Sequence, residues 1–248
     1  MIHVYAQAEP FFKSGNNTAV LFIHGFTASP SEVYPVAQIV HENSGATVSS
    51  ILLPGHGSHP RFLNRTTWQD WYQAVEDEAR YLIDNYDKVY IVGLSLGGLL
   101  ALYLGINLPE IKGVTAINAP IKLRYPIIRG LALGLQWVKP YFPKSEATQA
   151  DLRKKGRFAY DCTPVKAFLS MMNFRDIVLK NLDKLTVPLL IIQSLADETV
   201  DPAGVQVVMD KAKNSLVELV ELEDSRHVAT MGEDREKVAG LIIDFMKS

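Results

Sequence analysis

The stretch Val89-Tyr90-Ile91-Val92-Gly93-Leu94-Ser95-Leu96-Gly97-Gly98-Leu99 constrains this chain more than any other. It opens as a continuous apolar run, the signature of a strand buried on both faces, and passes into a second apolar segment that reaches Leu108 and is long enough for a helix. Between them lies G-x-S-x-G. In a strand–turn–helix context this spacing sets the serine on a sharp, strained turn, and the glycines two residues to either side let neighbouring backbone pass without a Cβ clash. The N–H groups and positive dipole end of the following helix then face the serine and favour negative charge developing beside it. Ser95 is therefore the candidate nucleophile, against the plainer reading of a glycine-containing turn.

A serine is inert without a base, and the base needs a carboxylate to orient it. Where a turn of this kind carries chemistry, the three follow in the order Ser, Asp or Glu, His. Val187–Gln193 reads as a buried strand, and the loop behind it, Ala196-Asp197-Glu198-Thr199-Val200-Asp201-Pro202, holds three acids. Asp197 comes first, nearest the end of the strand where ligands bind in open α/β sheets. Asp201 precedes Pro202 and reads as a helix N-cap; Glu198 points elsewhere by parity. Leu216–Leu222 alternates apolar and acidic residues as a half-exposed edge strand does, and His227 follows it, ahead of a helix expected near 234–246. Of the six histidines only His227 lies after Asp197. His3 and His41 read as surface residues.

His24 and His56 each abut glycine, in His24-Gly25-Phe26-Thr27 and Pro54-Gly55-His56-Gly57. Ala19–Ile23 reads as a strand ending at His24, and a backbone N–H from the loop behind such a strand joins the one after the nucleophile in an oxyanion hole. The N–H groups of Phe26 and Leu96 are the candidates. His24, His56 and His59 are expected to hydrogen-bond within their own turns.

Taken together, His24–Thr27, Leu53–Gly57, Arg65-Thr66-Thr67-Trp68-Gln69-Asp70-Trp71, Gly93–Gly98, Asp197–Pro202 and Ser225–Thr230 resemble the α/β-hydrolase superfamily and, within it, small bacterial carboxylesterases and monoacylglycerol lipases. The resemblance spans residues 19 to 247. It implies an α/β-hydrolase fold, a Ser95–Asp197–His227 triad and hydrolysis of a carboxylic ester without a cofactor. Monoacylglycerol lipases of that group use a cap carboxylate on the glycerol headgroup, and Asp161 stands at the matching position, one methylene shorter than the expected glutamate. A helix N-cap ahead of Pro164 is the other reading of Asp161.

Composition bounds the alternatives. With 248 residues, 48% hydrophobic and 21% charged, the chain can bury one large core. Its 25 basic and 27 acidic residues leave a net charge of -2 with no basic run, which argues against nucleic acid as a partner. Cys162 is the only cysteine, so no intramolecular disulfide can form, and the histidines show no metal-ligand spacing. Met1–Tyr5 lacks a basic segment leading into an apolar run, and the uncharged stretch Tyr90–Leu108 reads as strand plus packed helix and not as a membrane span. Cytoplasmic residence is the expectation.

Strands are expected near 19–24, 46–51, 88–93, 111–117, 187–193 and 216–222, with helices between. This alternation predicts a mostly parallel sheet covered on both faces. The gap after Asn118 is too long for a structureless loop in a compact domain. Residues 120–185 are therefore expected to form a small helical cap on a core made of 1–119 and 186–248. The cap sequence divides into an apolar part, Ile127–Val138, suited to lining an acyl pocket, to touching lipid or to packing on the core, and a polar part from Lys144 to Arg157. An apolar capped slot suits uncharged esters with short to medium acyl chains. Thioesters, amides and a ligand-binding protein that keeps the same residues stay open at this point.

Overall fold

A computed structural model describes residues 4–145 and 157–248. Seven strands form one sheet: β1 (Phe11–Lys13), β2 (Asn16–Ile23), β3 (Ala46–Ser50), β4 (Lys88–Leu94), β5 (Gly113–Ile117), β8 (Leu189–Ser194) and β9 (Val217–Leu222), in the order β1-β3-β2-β4-β5-β8-β9. All neighbours are parallel except β1, which runs antiparallel to β3. The expected mostly parallel sheet is present. The sequence reading missed β1 because three residues are too few to establish a period.

The side-chain alternation of the strands divides the core. In β2, Ala19, Leu21 and Ile23 enter one apolar layer and Val20 and Phe22 the other. The first layer holds α3 (Trp68–Asn85), α4 (Leu96–Asn107), α6 (Val165–Asn181) and α7 (Gly204–Lys211); the second holds α1 (Tyr34–Ser44) and α8 (Arg235–Phe245). A short α2 covers Pro60–Leu63. No described helix is long and apolar enough to cross a membrane. Tyr90–Leu108 divides between β4 and α4, both buried against the layers above.

Chain direction along the sheet reverses at β2, whose neighbours are β3 on one side and β4 on the other. A crevice opens at the carboxyl ends of strands at such a point. Between β5 and β8 the chain makes α5 (Ile127–Leu135) and a small hairpin of β6 (Tyr141–Pro143) and β7 (Cys162–Pro164) before α6. The stretch 165–185 packs on the first layer through Ala167, Met171, Met172, Phe174 and Val178. By contrast α5 buries only Ala132, against Val165 and Leu169 of α6, and leaves Ile127 and Leu131 exposed, as Trp137 and Val138 are just beyond it. Its apolar part thus packs on α6 and not on the main core. Most of the polar part, residues 146–156, and His3 lie outside the described residues.

Candidate active site

Ser95 follows β4 directly and opens α4, with φ 55° and ψ -116°, a conformation an L residue adopts only under constraint. The constraint is visible. Ser95 N–H donates to the Ile117 carbonyl at 2.9 Å, and its own carbonyl accepts from Gly98 at 2.9 Å and Leu99 at 3.3 Å. A Cβ on Gly93 would lie 2.0 Å from the Gly97 carbonyl oxygen, and one on Gly97 would lie 2.1 Å from the Ile23 carbonyl oxygen, so β2, β4 and α4 meet here at backbone distance. The G-x-S-x-G spacing is a packing requirement of this crossing.

Asp197 and His227 lie on the loops behind β8 and β9. Asp197 is buried; its Oδ1 accepts from Thr199 N–H at 2.7 Å and Val200 N–H at 2.8 Å, and its Oδ2 meets His227 Nδ1 at 2.7 Å. Two backbone donors fix the carboxylate, and the carboxylate fixes the ring. With Nδ1–H donating to Asp197, Nε2 is the acceptor nitrogen. The structure joins Asp197 to His227 directly; among the described residues it shows no direct bond from Ser95 to His227, a contact that commonly tightens only with substrate bound.

Asn118 connects the two halves, a residue to which the sequence reading gave no role. Its Nδ2 donates to the His227 carbonyl at 2.8 Å and to Ser194 Oγ at 2.9 Å, and its Oδ1 accepts from Ser194 N–H at 2.7 Å. It sits one residue beyond Ile117, the acceptor for Ser95, and has φ 47°. Asparagine tolerates the left-handed region better than most residues. That tolerance, at the end of a buried strand, was the available signal.

The loop after β2 is held by two buried histidines. His24 Nδ1 contacts the Gly25 carbonyl at 2.9 Å and His24 Nε2 accepts from Leu53 N–H at 3.1 Å; His56 Nδ1 contacts the Pro54 carbonyl at 3.2 Å and His56 Nε2 accepts from Thr27 N–H at 3.2 Å. Each ring uses one nitrogen as donor and the other as acceptor and so is neutral. Burial pushes His24 down to about 4 and lowers His56 well below its ordinary value, with the neighbouring His24 adding to the shift. The rings stand edge to face with centroids 5.0 Å apart, and Phe26 and His56 both pack on Trp71 of α3. Thr67 and Asp70 close a capping box at the start of α3, and Trp71 Nε1 donates to Thr66 Oγ1 at 2.9 Å, which accounts for the motif at 65–71.

Phe26 and Leu96 present the backbone N–H groups expected of an oxyanion hole, and neither donates to a protein acceptor among the described residues. Gly25 lies beside Ser95: a Cβ on it would be 3.5 Å from Ser95 Cβ. Thr27 has φ 64°, a strained value for a β-branched residue that costs on the order of 1–3 kcal/mol. Three non-glycine residues with positive φ, Thr27, Ser95 and Asn118, thus cluster at the carboxyl ends of β2, β4 and β5.

Three secondary expectations change. Glu198 does not point away: Oε1 pairs with Arg226 at 3.0 Å and Oε2 accepts from His227 N–H at 3.4 Å, because the turn at Asp197 folds the loop back over the His227 segment. His41 bonds the Ala46 carbonyl at 2.8 Å instead of standing free in solvent. Asp161 is exposed and does not cap α6; Asn64 Oδ1 does so, accepting from Lys166 N–H at 2.9 Å. Asp201 does accept from Ala203 N–H at 3.0 Å ahead of α7, and it pairs with Lys122 at 2.7 Å.

Residues 20–241 match the model of the alpha/beta hydrolase family. The chain belongs to that family. It is 31% identical over 244 residues to the thermostable monoacylglycerol lipase of Bacillus sp. (strain H-257), covering 98% of this chain and 95% of the relative. It is 26% identical over 240 residues to the carboxylesterase of Bacillus subtilis (strain 168), covering 96% of each. Among solved structures, a chain from the metagenome-derived lipolytic enzymes LipS and LipT superposes with a TM-score of 0.88 at 29% identity over 99% of both chains. The soluble variant of the Saccharomyces cerevisiae monoglyceride lipase, at 17% identity and a TM-score of 0.81, shares the fold.

Proposed function

We propose that this α/β hydrolase cleaves uncharged carboxylic esters, as a carboxylesterase or monoacylglycerol lipase does, through an acyl-enzyme on Ser95. His227 Nε2 takes the Ser95 proton as Oγ attacks the ester carbonyl, Asp197 holds the ring in the tautomer that leaves Nε2 open, and the N–H groups of Phe26 and Leu96 receive the oxyanion. The alcohol leaves with the proton from His227. Water, deprotonated by the same ring, then cleaves the acyl-enzyme, so the cycle needs no cofactor. The observation that carries this reading is the 2.7 Å bond between buried Asp197 and His227, at the same edge of the sheet as the strained Ser95 turn.

In this reading residues 120–185 form a cap over Ser95 and favour short to medium acyl chains. Support comes from the hairpin, whose flanking residues Phe158 and Tyr160 bond to the loops after β2 and β3. Residence in the cytoplasm belongs to the same proposal and rests on a chain with one cysteine and no disulfide. Kinetics on a chain-length series of p-nitrophenyl esters, beside monoacylglycerols and thioesters, test it. Wild-type turnover of the shorter esters and a loss of ~10⁶ in kcat for Ser95→Ala are expected. Full activity in Ser95→Ala would refute the nucleophile, and turnover confined to thioesters would reassign the substrate.

A further inference from the structure

One lysine of the segment between β5 and β8 reaches the oxyanion loop. Lys144, just past β6, donates from Nζ to Thr27 Oγ1 at 2.7 Å. Thr27 is the residue after Phe26, and every polar group it has is occupied from outside its own loop: its N–H by His56, its carbonyl by Tyr160 N–H at 2.8 Å, its hydroxyl by Lys144. These contacts hold a β-branched residue at φ 64°, where it would not rest alone. The backbone of Lys144 is itself fixed, its N–H donating to the Asp161 carbonyl at 2.8 Å across the β6–β7 hairpin.

We propose that Lys144 is a positioning residue for the proposed ester hydrolysis: its bond to Thr27 sets the loop that aims the Phe26 N–H at the oxyanion. This inference rests on the ester-hydrolase reading above. The bond joins the hairpin to the loop that carries half of the oxyanion hole, so displacement of the hairpin is felt at the Phe26 amide. The setting of Lys144 is a costly one for a group kept only for stability. Lys144 is half-buried, and desolvation pushes its ammonium down to about 8 although Cys162 of the facing strand and the adjacent Asp161 hold it up. Those two residues, His56 and Thr27 are among the groups around it. A cation held in such a place at the edge of a reactive site marks function more often than packing.

Substituting Lys144→Met keeps the stem and removes the donor, Thr27→Val keeps the β-branch and removes the acceptor, and Lys144→Arg restores a cation. Steady-state kinetics on p-nitrophenyl butyrate and thermal melts of the five proteins, wild type and double variant included, form the test. Because oxyanion contacts strengthen in the transition state, Lys144→Met and Thr27→Val are each expected to lower kcat by about ten- to a hundredfold with KM within about twofold. The double variant is expected to lose no more than either single one, and the melting temperature of Lys144→Met to equal or exceed that of the wild type. Lys144→Arg should recover part of kcat. Unchanged kcat in Lys144→Met, or losses in kcat that add in the double variant and track the melting temperature, would overturn the proposal while leaving the ester reading intact. A wild-type protein inert towards esters would overturn both.

Discussion

The loops at the carboxyl ends of β2, β4, β5 and β8 and the helix α5 dispose of their side chains in opposite ways. At the strand ends His24, Thr27, Asp197, Asn118 and Ser194 are buried and bonded, and backbone passes backbone with no room for a methyl group at Gly97. In α5 and just beyond it the apolar residues Ile127, Leu131, Trp137 and Val138 face outward, and Gly130 and Gly134 have nothing within 4 Å of where a Cβ would be. The first region is over-determined and can store strain; the second meets α6 through one buried side chain and the bonds of Arg129 to Asp176 and Asn173. In the proposed reading, a site that holds charge in fixed geometry and still admits a substrate uses both.

The comparison breaks most visibly at Asp197. If the strand-end loops work as one preorganised unit, Asp197→Asn loses the tautomer control of His227, and kcat should fall by about 10⁴ while the fold persists. Asp201→Asn, at an exposed turn, should leave kcat within about twofold of the wild type; kinetics on both variants check the pair, and the reverse ranking would move the acid to Asp201.

Glycine substitutions sharpen the contrast between regions. Gly97→Ala drives a methyl group into the Ile23 carbonyl and should cost about 3 kcal/mol or more, or prevent folding. Gly130→Ala and Gly134→Ala meet open space and replace a poor helix former, so melting temperature should hold or rise. Denaturant unfolding of the three variants separates the regions; equal penalties would erase the distinction.

Acid tests the buried histidine pair. His24 lies at about 4 in the folded protein and at 6.5 unfolded, so between those pH values the unfolded chain holds a proton the folded one lacks. Stability is therefore complete above about 6.5 and declines as the pH falls towards 4, by about 3 kcal/mol from His24 alone, with His56 acting in the same direction. Urea titrations at pH 7, 6, 5 and 4.5 measure this, and a flat profile would mean the rings are not neutral bridges. The smallest effect belongs to Trp137, 78% exposed: Trp137→Ser should change unfolding free energy by less than about 0.5 kcal/mol.

What was legible in the sequence follows the same division. The strands β2, β4, β5, β8 and β9 are short apolar or alternating runs, the period that burial imposes, and the boundaries expected for them lie within a few residues of those observed. Spacing and chain order nominate Ser95, Asp197 and His227, and the structure joins the last two. Asn118, Thr27 and Lys144 were not legible: Asn118 bonds Ser194 and His227 across 76 and 109 residues and Lys144 bonds Thr27 across 117, spans that no local pattern encodes. Glu198 misled because parity assumes an extended chain, whereas two Asp197 bonds turn the loop at that residue. In α5 the apolar residues outnumber the single face that α6 covers, so composition overstated their burial.

If Ser95 is the one activated serine, a fluorophosphonate probe reads it directly. Incubation followed by intact-mass and peptide analysis should give one adduct per chain, on the peptide carrying Ser95, suppressed by a short-chain ester and absent in Asp197→Asn on the same timescale. An adduct on another serine, or no adduct on a folded protein, would contradict the account.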